Sequence, residues 1–244
     1  MGGLGTRFLP ATKSLPKEML PVANKPLIQH AFEEAKAAGV EEFIFITGRN
    51  KSAINNHFDH AYELERALSE RSKEKTLELT SAWLPEAGNV VFIRQQVPLG
   101  LGHAVWCARH LIGDEPFAVL LADELFIPES GAAGLLEQMI EAYGKHGGNV
   151  VGVAEVPEEK VSSYGIVKPG QTKDDGALEI MQMVEKPRAS EAPSRLSIVG
   201  RYILDGRIMG YLDRTKVGAN SEVQLTDAMS NMLSNGHSFY GWNF

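Results

Sequence analysis

Glu42-Phe43-Ile44-Phe45-Ile46-Thr47 places four large apolar residues in unbroken succession, aromatic and β-branched by turns. A run this short and this apolar reads as a strand covered on both faces. Upstream, residues 26–38 set Leu27, Ile28, Ala31, Phe32 and Ala35 on one helical face, and the pattern stops at Gly39. Downstream, the strand signature returns at 90–94, 117–122 and 149–154, with helical patterns over 102–111 and 132–143 between the later runs. Residues 62–75 read as a highly charged, solvated helix. Strands alternating with helices predict an α/β fold, with a mixed, mostly parallel, Rossmann-like sheet flanked by helices.

After Val156 the style changes. Short strands are expected at 165–167, 178–184 and 197–204, a turn over 169–176, a loop over 186–194, and helices near 206–213 and 222–233. This half reads as a smaller mixed-strand lobe. Without a linker, repeat or low-complexity tract, residues 1–244 are expected to form a single domain with two lobes around a cleft.

Composition narrows the function classes. The 244 residues carry 24 Lys+Arg against 31 Asp+Glu, a formal charge of −7. An acidic balance argues against a nucleic-acid partner, which wants a basic footprint. The single cysteine, Cys107, excludes an internal disulfide and a cysteine-rich zinc site. No apolar run approaches the roughly 18 residues of a membrane span, and no signal-peptide pattern opens the chain. The expected compartment is the cytoplasm, with no membrane partner.

The first chemical signal is Gly2-Gly3-Leu4-Gly5-Thr6-Arg7. Glycines let backbone N–H groups approach phosphate oxygens, and an arginine adds a charge-assisted contact. The dinucleotide fingerprint fails, because the position three after Gly5 is Phe8, and no Walker loop occurs. The stretch continues with Pro10, Pro16 and Pro21, which stiffen an extended loop holding Arg7 and Lys17. Two cations beside a glycine loop suit a polyphosphate, and a solvated basic loop would look the same. Asp123, at the end of the 117–122 run, sits where open α/β sheets bind ligands, and is equally readable as a polar strand terminus.

The stretch Gly-Leu-Gly-Thr-Arg-Phe-Leu-Pro-Ala-Thr-Lys over 3–13, followed by Pro16-Lys17-Glu18-Met19-Leu20-Pro21-Val22, resembles the opening signature of the sugar-nucleotide pyrophosphorylases. The match continues through Thr47-Gly48-Arg49, Arg94-Gln95-Gln96, Leu99 to Ala104, Tyr164 to Val167, Val184-Glu185-Lys186-Pro187, Gly200-Arg201-Tyr202 and Val223 to Asp227. It is strongest to the bacterial branch that makes UDP-glucose. The resemblance implies a nucleotide-diphospho-sugar transferase fold and a nucleotidyltransferase joining UTP to glucose 1-phosphate with release of pyrophosphate. It implies Mg2+ as cofactor and a homodimer or homotetramer.

The resemblance also assigns residues. Arg7, Lys17 and Lys186 would be catalytic; Gly3, Leu4, Gly5, Thr6, Gln95 and Gly100 would bind the nucleotide; Gly165 and Glu185 would bind the sugar; Asp123 would ligate the metal. His103 reads as a helix-start residue with no evident partner, and His57-Phe58-Asp59-His60 as a solvated turn. Two departures stand out: the glycine loop follows Met1 directly, without the family's preceding apolar strand, and the family's second metal-binding aspartate is not reached by Phe244. Loss of a central strand implies a marginally stable, poorly active chain. Two rival readings stay open: a non-catalytic nucleotide-sugar-binding homologue or fragment, and a sister enzyme using another nucleotide.

Overall fold

The computed structural model describes residues 5–128, 131–217 and 221–243, and of Arg7 the backbone. Three short 3-10 turns, Thr6–Phe8, Ala11–Lys13 and Lys17–Met19, carry the proline-punctuated loop. A two-residue ribbon, β1 (Pro21–Val22) with β2 (Lys25–Pro26), leads into α1 (Leu27–Ala37). Helix α1 buries Ile28, Ala31, Phe32 and Ala35, the face its spacing marks out. There follow β3 (Phe43–Thr47), α2 (Ser52–His57), α3 (Tyr62–Glu70), α4 (Glu74–Ser81) and β4 (Val90–Arg94). Next come α5 (Leu101–Trp106), α6 (Arg109–Ile112), β5 (Phe117–Leu120), α7 (Leu135–His146) and β6 (Asn149–Glu155). The last part holds β7 (Gly165–Thr172), β8 (Leu178–Glu185), β9 (Leu196–Leu204), α8 (Ile208–Arg214), α9 (Leu225–Ser234) and β10 (Phe239–Asn243).

The mixed α/β architecture is the expected one, but strand direction is more antiparallel than the apolar runs imply. The main sheet runs β5-β9-β6-β10-β8-β7, and only β6 and β10 pair in parallel. Beyond Val156 the chain passes from β6 through β7 and β8 to β9 by loops and 3-10 turns. Parallel neighbours need a longer crossover, and β10 arrives after one, through α8 and α9. Strand β10, which the sequence does not advertise, fills the middle of this sheet. The charged 62–75 segment is two helices, with Ser72 in the left-handed region at φ 52° between them. The turn expected over 169–176 is shorter, because β7 runs on to Thr172.

Strands β3 and β4 form a separate parallel pair. Between β3 and β5 lies an apolar cavity of about 640 Å³, lined by Phe43, Ile44, Ile46, Phe117, Val119 and Leu121 among others. Among the described residues, β3 pairs only with β4 and β5 only with β9. The main core packs on the larger sheet, around Val151, Val167, Leu204, Ile208, Met229 and Phe239. A smaller aromatic cluster of Phe32, Phe58 and Ile54 packs between α1, α2 and β3.

Candidate active site

The described part of the glycine loop begins at Gly5. Its carbonyl accepts the Phe8 N–H at 2.9 Å and the Thr12 hydroxyl at 2.6 Å. Thr6 and Arg7 stand in the turn that follows, with Thr6 exposed. Gly3 and Leu4 lie outside the described residues. The next cation, Lys17, opens a turn after Pro16, and its neighbour Glu18 points the other way. Glu18 is fully buried and its Oε2 accepts a hydrogen bond from Lys51 Nζ at 2.5 Å. That buried ion pair anchors the turn and leaves Lys17 facing Asp123.

Lys17 meets Asp123. Its Nζ donates to Asp123 Oδ2 at 2.6 Å across 106 residues of sequence, with both side chains part-exposed. The chain therefore brings together the two groups assigned to phosphate and to metal. Asp123 rides in a turn at the end of β5, where the Glu124 N–H returns to the Leu121 carbonyl at 3.2 Å. Glu124, which the sequence shows only as a neighbour of Asp123, accepts the Gly200 N–H at 2.8 Å. Burial pushes its carboxyl above the usual range, partly opposed by that hydrogen bond. The resemblance implies a divalent metal at Asp123. Among the described residues no three metal-ligating side chains gather. A part-exposed carboxylate still fits Mg2+, which takes one or two carboxylates and completes its shell with phosphate and water.

The nucleotide side stands on β4 and α5. Gln95, just past β4, is buried, and its backbone N–H donates to the Thr47 carbonyl at 2.8 Å. Its Nε2 lies 3.1 Å from the Gly100 carbonyl and 2.9 Å from His103 Nδ1. So His103 has a partner after all: α5 turns its ring back toward the end of β4. Gly100 sits at φ 95°, and a Cβ there would come within 2.8 Å of Glu222 Cβ. Glycine is needed at this close approach.

The sugar side stands on the larger sheet. Gly165 pairs with Glu185 across β7 and β8. A Cβ on Gly165 would fall 2.8 Å from the Thr226 hydroxyl and 3.3 Å from Glu185 Oε2. Lys186 has φ 44°, a left-handed conformation rare outside glycine. Pro187 follows it and discourages ordinary helical backbone, while the Lys186 N–H is held by the Tyr164 carbonyl at 3.0 Å. Its Nζ lies 3.0 Å from Glu185 Oε1. Asp227 sits close enough to feel both: burial pushes its carboxyl up, Glu185 adds to the shift, and Lys186 opposes it. Thr226 and Asp227 carry no assigned role in the sequence reading, although both stand in the Val223–Asp227 motif.

Between the two sides lies a stretch of β9. Tyr202 is buried, and its hydroxyl is pushed up by burial and by the nearby carboxylates of Glu124 and Glu185. Arg201, its neighbour, is fully buried in a strand otherwise made mainly of apolar residues. That isolated charge is the sequence signal that marks a special residue. Of the histidine pattern at 57–60, Asp59 and His60 are exposed past the end of α2, as a solvated turn would be, but His57 and Phe58 are not. Phe58 is buried in the aromatic cluster, and His57 packs on Trp83 with its Nε2 3.0 Å from Gln29 Oε1.

Known proteins resemble this chain over most of its length. The chain is 48% identical over 230 residues to the UTP–glucose-1-phosphate uridylyltransferase of Bacillus subtilis (strain 168), covering 94% of this chain and 77% of that protein. A UTP-bound UGPase from Acinetobacter baumannii superposes with a TM-score of 0.89 at 40% identity, covering 100% of this chain and 83% of the other. A crystal structure of UDP-glucose pyrophosphorylase complexed with UDP-glucose gives a TM-score of 0.86 at 41% identity, covering 100% of this chain and 88% of the other. The nucleotidyl transferase family model matches residues 1–244, and with these relatives it establishes that the chain belongs to the nucleotidyl transferase family.

Proposed function

We propose that this protein forms UDP-glucose and pyrophosphate from UTP and glucose 1-phosphate, with residues 1–244 acting as one nucleotidyltransferase domain. The observation that carries the reading is the Lys17–Asp123 contact at 2.6 Å, which joins the proline-punctuated loop to the carboxylate at the end of β5. A phosphate oxygen of glucose 1-phosphate attacks the α-phosphorus of UTP, and the bond to the departing pyrophosphate breaks. No protein nucleophile is needed, so the site works by positioning and charge neutralisation.

The residue roles are those that the resemblance implies. The loop from Gly3 to Arg7 and Lys17 hold the triphosphate and the leaving pyrophosphate. Lys186, held at the end of β8, faces the charge on the attacking phosphate. Glu185 and the Gly165 backbone take the sugar hydroxyls. The base is assigned to the Gly100 turn, whose carbonyl Gln95 holds. Asp123 would hold Mg2+, which when bound supplies neutralisation of phosphate charge. We extend the proposal to a homodimer or homotetramer in the cytoplasm, without nucleic-acid or membrane partners. The net charge of −7 supports the former exclusion. Among the described residues no helix is long and apolar enough to cross a membrane.

Pyrophosphate release with UTP, dTTP and ATP in parallel tests the reading. UTP should be strongly preferred. Equal use of dTTP or ATP would assign the chain to a sister activity, and UTP binding without turnover would leave a binding protein.

A further inference from the structure

Arg201 makes more hydrogen bonds than any other side chain in the neighbourhood of the site, and it touches none of the groups assigned to substrate. Its position follows from register: β9 pairs antiparallel with β5, and Leu120 lies opposite Arg201. The guanidinium therefore reaches past the strand end into the turn that carries Asp123. Nη1 donates to the Leu121 carbonyl at 3.1 Å and Nη2 to the Glu124 carbonyl at 3.0 Å, one on each side of Asp123. Nη1 also donates to the Gly200 carbonyl at 3.0 Å. On its other edge, Nε and Nη2 meet the Glu34 carboxylate at 3.0 and 2.7 Å.

Each feature has a physical consequence. Arg201 is fully buried and Glu34 nearly so, so each would be a costly unpaired charge without the other. The fork geometry of the guanidinium fixes direction as well as charge. The guanidinium also lies 4.5 Å from the centre of the Phe126 ring. Glu34 belongs to α1, the helix that follows the proline-rich loop through the β1–β2 ribbon. One buried pair thus ties the loop's helix to the turn that presents Asp123.

We propose that Arg201 and Glu34 are positioning residues that preset the Asp123 carboxylate for a divalent cation. The inference rests on the reading of Asp123 as the cation's ligand. It deepens that reading by naming what holds the ligand in place. Residues that orient a metal ligand typically contribute about 10–100-fold to metal affinity.

Calorimetric titration of UTP into the full chain, once with Mg2+ and once with EDTA, tests this without turnover. The quantity read is the factor by which Mg2+ tightens UTP binding. Glu34→Gln should cut that factor about tenfold or more, while UTP affinity in EDTA stays at the wild-type value. Arg201→Lys, which keeps the charge and loses the fork, should act in the same direction and serves if Glu34→Gln folds poorly. A Glu34→Gln or Arg201→Lys protein with the full Mg2+ enhancement would overturn the proposal. So would an equal loss in Mg2+ and in EDTA, which marks a purely structural pair. Asp123→Asn separates the two claims. If it keeps the enhancement, Asp123 is not the ligand and the parent reading fails. If it abolishes the enhancement while Glu34→Gln does not, only the positioning claim fails.

Discussion

The six-stranded sheet and the β3–β4 pair carry opposite halves of the proposed site and differ in how they are built. The larger sheet is laddered through six strands around a continuous core, and it presents Asp123, Gly165, Glu185 and Lys186. The β3–β4 pair presents Gln95 and is separated from β5 by an apolar cavity. Lys17 spans the difference, rooted through Glu18 and Lys51 beside α2 and reaching Asp123 on the other side. The lesson is that close ion pairs, not strand ladders, join the halves: Glu18–Lys51 at 2.5 Å roots the turn beside α2, and Lys17–Asp123 at 2.6 Å crosses between them. The nucleotide side relies on local hydrogen bonds, such as those of Gln95, to keep its shape.

The largest expected effect lies on the laddered side. Lys186→Ala should lower turnover by about 10²–10³-fold while changing UTP binding little, since a donor facing developing charge acts mainly in the transition state. Steady-state kinetics with UTP varied would check it, and an unchanged kcat would remove the lysine from its role.

Core truncation compares the sheets directly. Leu204→Ala, at a fully buried position of β9, should cost about 2–5 kcal/mol of stability. Ile44→Ala, whose side chain borders the existing cavity, should cost less than about 2 kcal/mol, because part of its neighbourhood is already empty. Urea denaturation of both variants gives the comparison, and equal losses would break it.

Gln95→Ala should weaken UTP binding by about tenfold, the scale of one or two hydrogen bonds, with kcat nearly preserved. A loss confined to kcat would place Gln95 on the catalytic side instead.

The smallest effect is a pH dependence from the aromatic cluster. Burial holds the His57 imidazole below its ordinary value of 6.5. Its folded pKa is depressed, so below 6.5 the unfolded chain binds the proton and the folded chain resists it. Stability is therefore full above that value and falls as pH drops toward the folded pKa. Thermal melts between pH 7 and 5 should show this slope, to which His103, also held down by burial, adds, and His57→Gln should reduce it.

Sequence reading reaches much of this. The apolar runs locate β3 to β6, and the spacing over 26–38 marks the buried face of α1. Those signals work because a covered strand or an amphipathic helix is a local, periodic property. Strand β10 is missed because Phe239–Asn243 offers no apolar run, with Gly241 at its centre, and its place is decided by β6 and β8 on either side. Lys17 and Asp123 are each legible beside an identifiable element, but their meeting across 106 residues is a tertiary fact. The same holds for Arg201 with Glu34, and for His57, whose environment comes from Trp83 and Gln29 rather than from its neighbours in sequence.

The central claim is that both sides form one cation-dependent site centred on Asp123. The most direct measurement is pyrophosphate release from UTP and glucose 1-phosphate, with Mg2+ or with EDTA, for the wild-type chain and Asp123→Asn. The account predicts release by the wild type with Mg2+, none in EDTA, and a loss of at least about 10²-fold in the variant. Release that persists in EDTA, or an Asp123→Asn protein as active as the wild type, would contradict it.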